Sequence, residues 1–292
     1  MGMSFVTMQS DVRARLVEPA ARYFTDAEIK RWINLGYKDF VGRTEWSNRV
    51  KGYRIIANQA YYDLPSDFMK VEELIWKEQY KIVLTDTDEW RWRVSAGPTT
   101  SSSRPQYANY QPADRKFRLW PAPSANCNSK AIAGAHGTSD TSILFATAAD
   151  AATFRRSGRL LIDSEQIIYD NTENNALTGA IRGADDTTAA THDSGITAYE
   201  LDLLLLYRNM PVDLSADADE PKIPDVWREA LVLYATKIGL QKRGQWKEAS
   251  GIMQEYLRLA DQALLERKRE QLDRHWAIKD EDYYNGLYNG GW

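Results

Sequence analysis

The 292-residue chain suits one large domain or two smaller ones and can bury an adequate core. Hydrophobic residues at 43% and charged residues at 27% are the fractions of an ordinary globular protein, which excludes wholesale disorder. A net charge of −4 without a basic run of five excludes tight non-specific DNA binding, which needs Lys and Arg to displace counterions.

Cys127 is the only cysteine, so no intrachain disulfide forms and a reducing compartment is expected. The opening "MGMSFVTMQSDVRARL" lacks the uncharged apolar core of a signal peptide. The longest apolar run, Leu203 to Tyr207, is far too short to span a bilayer, so a soluble protein made in the cytosol is expected. Ten tryptophans and sixteen tyrosines exceed the needs of one core, and both residue types are enriched at interfaces.

In chain order, a short helix is expected over Ser10 to Leu16. The stretch "FTDAEIKRWINLGYKDFVGRTEW" then opens with Thr25-x-x-Glu28, a capping box in which each side chain satisfies an orphan backbone N–H. Ile29, Trp32, Ile33, Gly36, Tyr37 and Phe40 recur at helical spacing and define an apolar face. "YRIIA", "AYYDLP" and "VEELIWKEQYKIVLT" read as strands, with Lys77 to Gln79 as a hairpin tip. "TDTDEWRWRV" reads as a short helix and "GPTTSSSRPQY" as a loop. "QYANYQPADRKFRLWPAP" reads as a hairpin turning at Pro112-Ala113-Asp114.

Between 126 and 198 the texture changes: tryptophan vanishes and Ala, Thr, Asp and Gly dominate. "GRLLIDSEQIIYD" reads as two strands around Asp163-Ser164, and "ENNALTGAIRGA" supplies another turn and strand. This is an expected β-rich insertion. The flanking "KFRLWPAP" and "YELDLLLLYRNMP" read as the two strands of one hairpin whose tip the insertion replaces. Pro221 and Pro224 then set up a helix that Gly244 closes or bends. Trp246, Ala249, Met253, Tyr256 or Leu257, Ala260 and Leu264 form the stripe of a second helix. Beyond Trp276 the periodicity stops, in an irregular ending "DEDYYNGLYNGGW".

The expected fold class is therefore α+β: a mainly α-helical bundle core with short β-hairpins, an inserted β-rich module and an extended C-terminal tail. The core comprises 1–125 and 199–275, the module 126–198 and the tail 276–292.

Chemistry is sparse. His136, His192 and His275 lack carboxylates at metal-ligand spacing and are expected to be solvated or satisfied. Cys127 has no activating neighbour. Asp217-x-Asp219-Glu220 lacks the turn glycine and terminal glutamate of a calcium loop, and reads as a solvated acidic loop. No phosphate loop or nucleophile elbow occurs. No catalytic site, metal or cofactor is expected. Asp163 and Glu165 are conceivable as hydrolase acids, and exposed Tyr169 and Tyr199 as a sugar-stacking surface for a host receptor.

The order of segments carries a resemblance. Tyr62, Leu64, Pro65, Asp67 and Phe68, then Pro121 and Pro123, then Ile223 and Pro224 fall in the sequence "YYDLPSDF", "FRLWPAP", "IPDVWREAL". Over roughly 8–123 and 199–270 the chain resembles the head-to-tail adaptor (connector) proteins of tailed bacteriophages. The insertion resembles, more weakly, a β-module recurring in phage structural proteins.

The resemblance implies a ring, commonly dodecameric, at the head–tail junction of the virion, assembled in the host cytoplasm. Its implied partners are the portal protein, the tail nozzle or tube, tail fibres or spikes, and other copies of itself. DNA passes through the lumen during packaging and ejection without specific binding. Implied portal docking falls on Tyr283, Tyr284, Leu287, Tyr288 and Trp292, subunit packing on Trp32, Tyr37, Phe40, Trp246, Met253 and Tyr256, and attachment of tail components on Glu165, Tyr169 and Arg182. Ordering the residues after Trp276 costs about 1–2 kcal/mol each, roughly what burying four aromatics returns. Such a tail requires a partner.

Overall fold

The computed structural model describes residues 2–18, 23–85, 88, 90, 104–111 and 113–288, with 270–288 described by backbone alone. Most of the expected helix over 85–94, most of the loop over 97–107, and Trp292 lie outside the described residues. The chain divides into two compact units, 1–47 with 210–292, and 48–209; the expected insertion lies within the second.

The first unit opens with α1 (Phe5–Arg15), five residues earlier than its sequence suggests. Phe5, Met8 and Val12 are buried one turn apart. No side chain caps the backbone at its start; the N–H groups of Phe5 and Val6 donate instead to the carbonyls of Asp219 (2.8 Å) and Asp217 (3.0 Å). A cap supplied from two hundred residues away leaves no local signature. Helix α2 (Asp26–Thr44) carries the expected capping box, and every residue of its predicted apolar face is buried.

The second unit holds β1 (Arg49–Arg54), β2 (Tyr61–Asp63), β3 (Phe68–Trp76), β4 (Tyr80–Thr85), β5 (Tyr107–Gln111) and β6 (Lys116–Trp120). The β3–β4 and β5–β6 hairpins fall where predicted. Next come β7 (Ser129–Ala131), β8 (Ser142–Leu144), the short α3 (Ala148–Ala151), β9 (Gly158–Ile162) and β10 (Glu165–Tyr169). Asp163 takes φ 53° in the turn of the predicted β9–β10 hairpin. β11 (Asn171–Glu173), β12 (Ala176–Thr178), β13 (Ile181–Ala184) and the long β14 (Thr197–Asn209) complete the set.

β14 is the spine. Residues 197–200 pair with β7 and β9, and 201–209 with β1 and β3. It therefore serves two cores. Leu203, Leu205 and Tyr207 pack with Leu74, Trp76 and Phe117, whereas Ala198 packs with Phe145, Leu160, Ile167 and Leu177. Being flanked on both edges and buried on both faces explains its unbroken apolar run.

The first unit resumes with a 3₁₀ turn (Asp225–Trp227) after Pro224, then α4 (Glu229–Lys242) and α5 (Trp246–Tyr288). Gly244, at φ 77°, closes α4 as expected. α4 packs against α1, α2 and α5. Gly36 of α2 sits against Tyr234, leaving only 3.0 Å for any added Cβ.

Three expectations are corrected. The fold is not a helical bundle with hairpin decoration: the second unit is built almost wholly of strands, and eleven strands join in one mixed sheet. β6 and β14 are not partners in a hairpin, since β6 pairs with β5 and β2. The ending is not an extended tail, because α5 runs on to Tyr288, about 64 Å of helix over its 43 residues.

Candidate functional site: interaction surfaces

Four of the six residues expected to pack between subunits, Trp32, Tyr37, Phe40 and Tyr256, are buried in the core of their own unit. The Tyr256 hydroxyl donates to Asp39 (2.5 Å) and the Tyr37 hydroxyl accepts from the Lys222 backbone (2.8 Å). Their surface is already committed. Met253 is half-buried, and Trp246 is 65% exposed. Trp246 follows the end of α4, where Arg243 donates to Leu16 and Glu18 and lies over the Tyr23 ring. Val17 and Tyr23 there are 86% and 65% exposed, giving this end of the unit three large apolar side chains in water. Of the expected docking residues, Tyr283, Tyr284, Leu287 and Tyr288 lie on the backbone of α5, and their side chains fall outside the described residues.

In the second unit the expected attachment residues form an internal clasp. Glu165 is fully buried at the start of β10. It accepts a two-pronged pair from Arg182 (2.9 and 2.8 Å), the backbone N–H groups of Gly183 (2.7 Å) and Ala190 (3.0 Å), and faces His192 Nε2 (2.8 Å). Burial works to raise its carboxyl, but Arg182, those N–H groups and His192 together outweigh it and hold Glu165 at about 2. The other His192 nitrogen meets Asp163 (2.9 Å), so this histidine is satisfied, as expected. One carboxylate thus ties β10 to β13 and to the segment leading into β14.

The same geometry decides two alternatives. A carboxyl held ionised by four partners in the interior has no proton to donate at neutral pH, so Glu165 does not suit a hydrolase acid. Tyr169, 1% exposed, donates its hydroxyl to Glu200 (3.2 Å), and Tyr199 lies under the Arg54 guanidinium (4.1 Å). Tyr169 presents no free face to a sugar, and Tyr199 is partly buried with one face taken by Arg54. Buried Glu165 and Tyr169 likewise have no surface to offer a tail component, and Arg182 spends its donors on Glu165 and the Gly137 and Ala190 carbonyls.

Sequence reasoning missed a second polar cluster, inside "YELD" of β14. Glu200 accepts from Asn128 (2.7 Å), Tyr169 and the Arg155 backbone (3.0 Å). Asp202, also buried, lies 3.2 Å from Arg155. Burial pushes its carboxyl up to about 6, with Lys77 and Arg155 pulling the other way. Alternation of acids with apolar residues in a strand otherwise buried was the available signal.

Two open clefts mark this unit's surface. One, about 400 Å³, runs along Tyr80, Lys81, Val83, Arg104 and Tyr107. The other, about 330 Å³, is bounded by Arg49, Glu72, Asp185, Asp186 and Leu206. Elsewhere Asp217 pairs with Lys30 and Glu220 with Arg228, while Asp219 accepts from the backbone of Ser215 and Ala216, so this acidic loop does not converge. Among the described residues no three His, Cys, Asp or Glu side chains gather as a metal site, and no helix is long and apolar enough to cross a membrane.

The comparison of the chain as a whole adds to these surfaces. The model of one family, the SU10 adaptor protein, matches residues 3–280, a span that includes the stretch 126–198. The chain belongs to the SU10 adaptor protein family. No curated protein matches it. As an SU10 adaptor it is a structural protein of the bacteriophage virion, a head–tail adaptor whose neighbours are portal and tail proteins. Membership in a structural family agrees with a site made of surfaces and clasps.

Proposed function

We propose that this adaptor forms a ring between the portal and the tail nozzle or tube, extends the DNA channel, and docks on the portal through the end of α5. The observation that carries the reading is the family match over nearly the whole chain, joined to the shape of α5. Among the described side chains the last one buried on this helix is Arg267, beside Trp46. The backbone continues as helix to Tyr288, through a sequence that ends with four aromatic residues among its last ten. A long helix whose sequence ends in aromatics is suited to insertion into a partner's groove. Repetition around a ring multiplies each weak contact. Exposed Val17, Tyr23 and Trp246 supply apolar surface for neighbours in that ring. The mild net charge of −4 lets DNA pass without being held. The ring is taken as dodecameric, the commonest state of such adaptors.

Truncation after Trp276 tests the docking assignment. The shortened protein is expected to lose only the helical dichroism of the removed turns and to keep its thermal transition while failing to join portal-bearing heads. Undiminished joining would overturn portal docking by this segment.

A further inference from the structure

Strand β4 changes partner half-way along. Tyr80, Lys81 and Ile82 pair with β3, whereas Val83, Leu84 and Thr85 pair in parallel with β5, which begins only at Tyr107. The Lys77 N–H turns to β14, so Trp76 and Leu74 of β3 turn their backbone groups to Tyr80 and Ile82. The Val83 N–H turns the other way and donates to the Gln106 carbonyl (2.9 Å). Backbone groups alternate sides along a strand, so the N–H and C=O of Lys81 point to the same side as those of Val83. Among the described residues no strand meets them there. The open cleft of about 400 Å³ does, walled by Tyr80, Lys81 and Val83 on one side and by Arg104 and Tyr107 on the other.

The cleft is aromatic and cationic. The Arg104 guanidinium lies over the Tyr80 ring (4.5 Å), and Tyr107 leans on Trp120 of β6, their ring centres 6.0 Å apart. Tyr80 and Val83 are exposed. Lys81 reaches across to Glu73 of β3 (2.6 Å), but none of the residues lining the cleft is acidic. Arg118, two residues before Trp120 and so on the same face of β6, stands between the rings of Tyr61 (5.3 Å) and Trp90 (5.4 Å), its Nε buried without a hydrogen-bond partner. On a chain of net charge −4, this face gathers Arg, Tyr and Trp, the residue types that dominate binding energy at interfaces.

We propose that this cleft takes an extended acidic peptide segment of a neighbouring virion protein, added as a strand beside β4. An exposed strand edge is a ready template for pairing, and the Lys81 backbone supplies it. Arg104 holds a carboxylate of the incoming segment by a charge-assisted pair, while Tyr80, Val83 and Tyr107 pack against the residues beside it. Cations lining the cleft without an acid among them select an acidic segment over a basic one. A nucleic-acid strand brings negative charge but no peptide N–H and C=O to meet those of Lys81. The cleft lies wholly within the second unit, so the assignment does not depend on portal docking through α5.

Fluorescence anisotropy of the full-length protein tests the cleft, with a short fluorescein-labelled peptide of alternating Glu and Tyr as the probe and its Lys–Tyr counterpart as the control. The acidic peptide is expected to bind, and Arg104→Glu to weaken it about tenfold or more. Val83→Glu, which sets a like charge in the cleft wall, is expected to weaken it as well. Both positions are exposed, so the two variants should keep the wild-type thermal melt. In hydrogen–deuterium exchange the Lys81 amide is expected to gain protection once the acidic peptide is bound. No binding of that peptide, equal binding of the lysine peptide, or undiminished binding by both variants would overturn the site. Binding that leaves the Lys81 amide unprotected would overturn the added strand, and tighter binding of oligothymidylate weakened by the same substitutions would overturn a peptide as the occupant.

Discussion

Glu165 and Asp202 are two buried carboxylates of one sheet, with opposite consequences for stability. Glu165, lowered from 4.5 to about 2, contributes stability that is complete above pH 4.5 and lost as pH falls toward 2. The size is about 3 kcal/mol. Asp202, raised from 3.8 to about 6, works the other way: its burial costs stability above pH 6, and the cost is relieved as pH falls toward 3.8. Denaturant midpoints for the second unit are therefore expected to peak at about pH 4, where the Glu165 gain is nearly complete and the Asp202 cost is only beginning. Glu165→Gln should lower the midpoint at neutral pH and flatten the acid limb; an unchanged limb in urea titrations across about pH 2.5–5 would refute the clasp. At this scale, legibility followed sequence distance. The Thr25–Glu28 capping box was readable because both partners sit within one turn. The Glu165 clasp was not, because Arg182, Ala190 and His192 reach it only after the chain has folded back on itself.

At the scale of elements, two glycines of α2 make a paired test. A Cβ at Gly36 would lie 3.0–3.2 Å from three atoms of Tyr234, so Gly36→Ala should force α2 from α4 and cost about 1–3 kcal/mol. Gly42, with nothing within 4 Å of its missing Cβ, should gain up to about 1 kcal/mol as alanine, through helix propensity alone. Thermal melts of both variants check the contrast, and equal effects would contradict the packing. The β3–β4, β5–β6 and β9–β10 hairpins were legible because strand, turn and strand are contiguous. The pairing of β14 with β1 and β3 was not, since a strand's partner across the chain leaves no local mark. Reading its apolar run as half of a hairpin with β6 is what turned an eleven-stranded sheet into an expected helical bundle.

For the whole molecule, the sequence conveyed purpose better than architecture. The order Tyr62-x-Leu64-Pro65, Pro121-x-Pro123, Ile223-Pro224 pointed to the adaptor family that the match over 3–280 establishes, while the balance of sheet and helix was missed. The physical cause is shared: family identity survives in the order of punctuating residues, whereas sheet topology depends on contacts between distant segments. The aromatic surplus that suggested interfaces divides on inspection. Trp32, Tyr37, Tyr169 and Tyr256 build cores, while Tyr23 and Trp246 remain in water, where a neighbouring subunit can cover them. Electron microscopy of the full-length adaptor mixed with its portal tests the central claim most directly. The account predicts closed rings seated on the portal, each with helical density continuing from the ring into the portal body. Portal particles bare of added density under saturating adaptor, or adaptor located away from the head–tail vertex in intact virions, would contradict it.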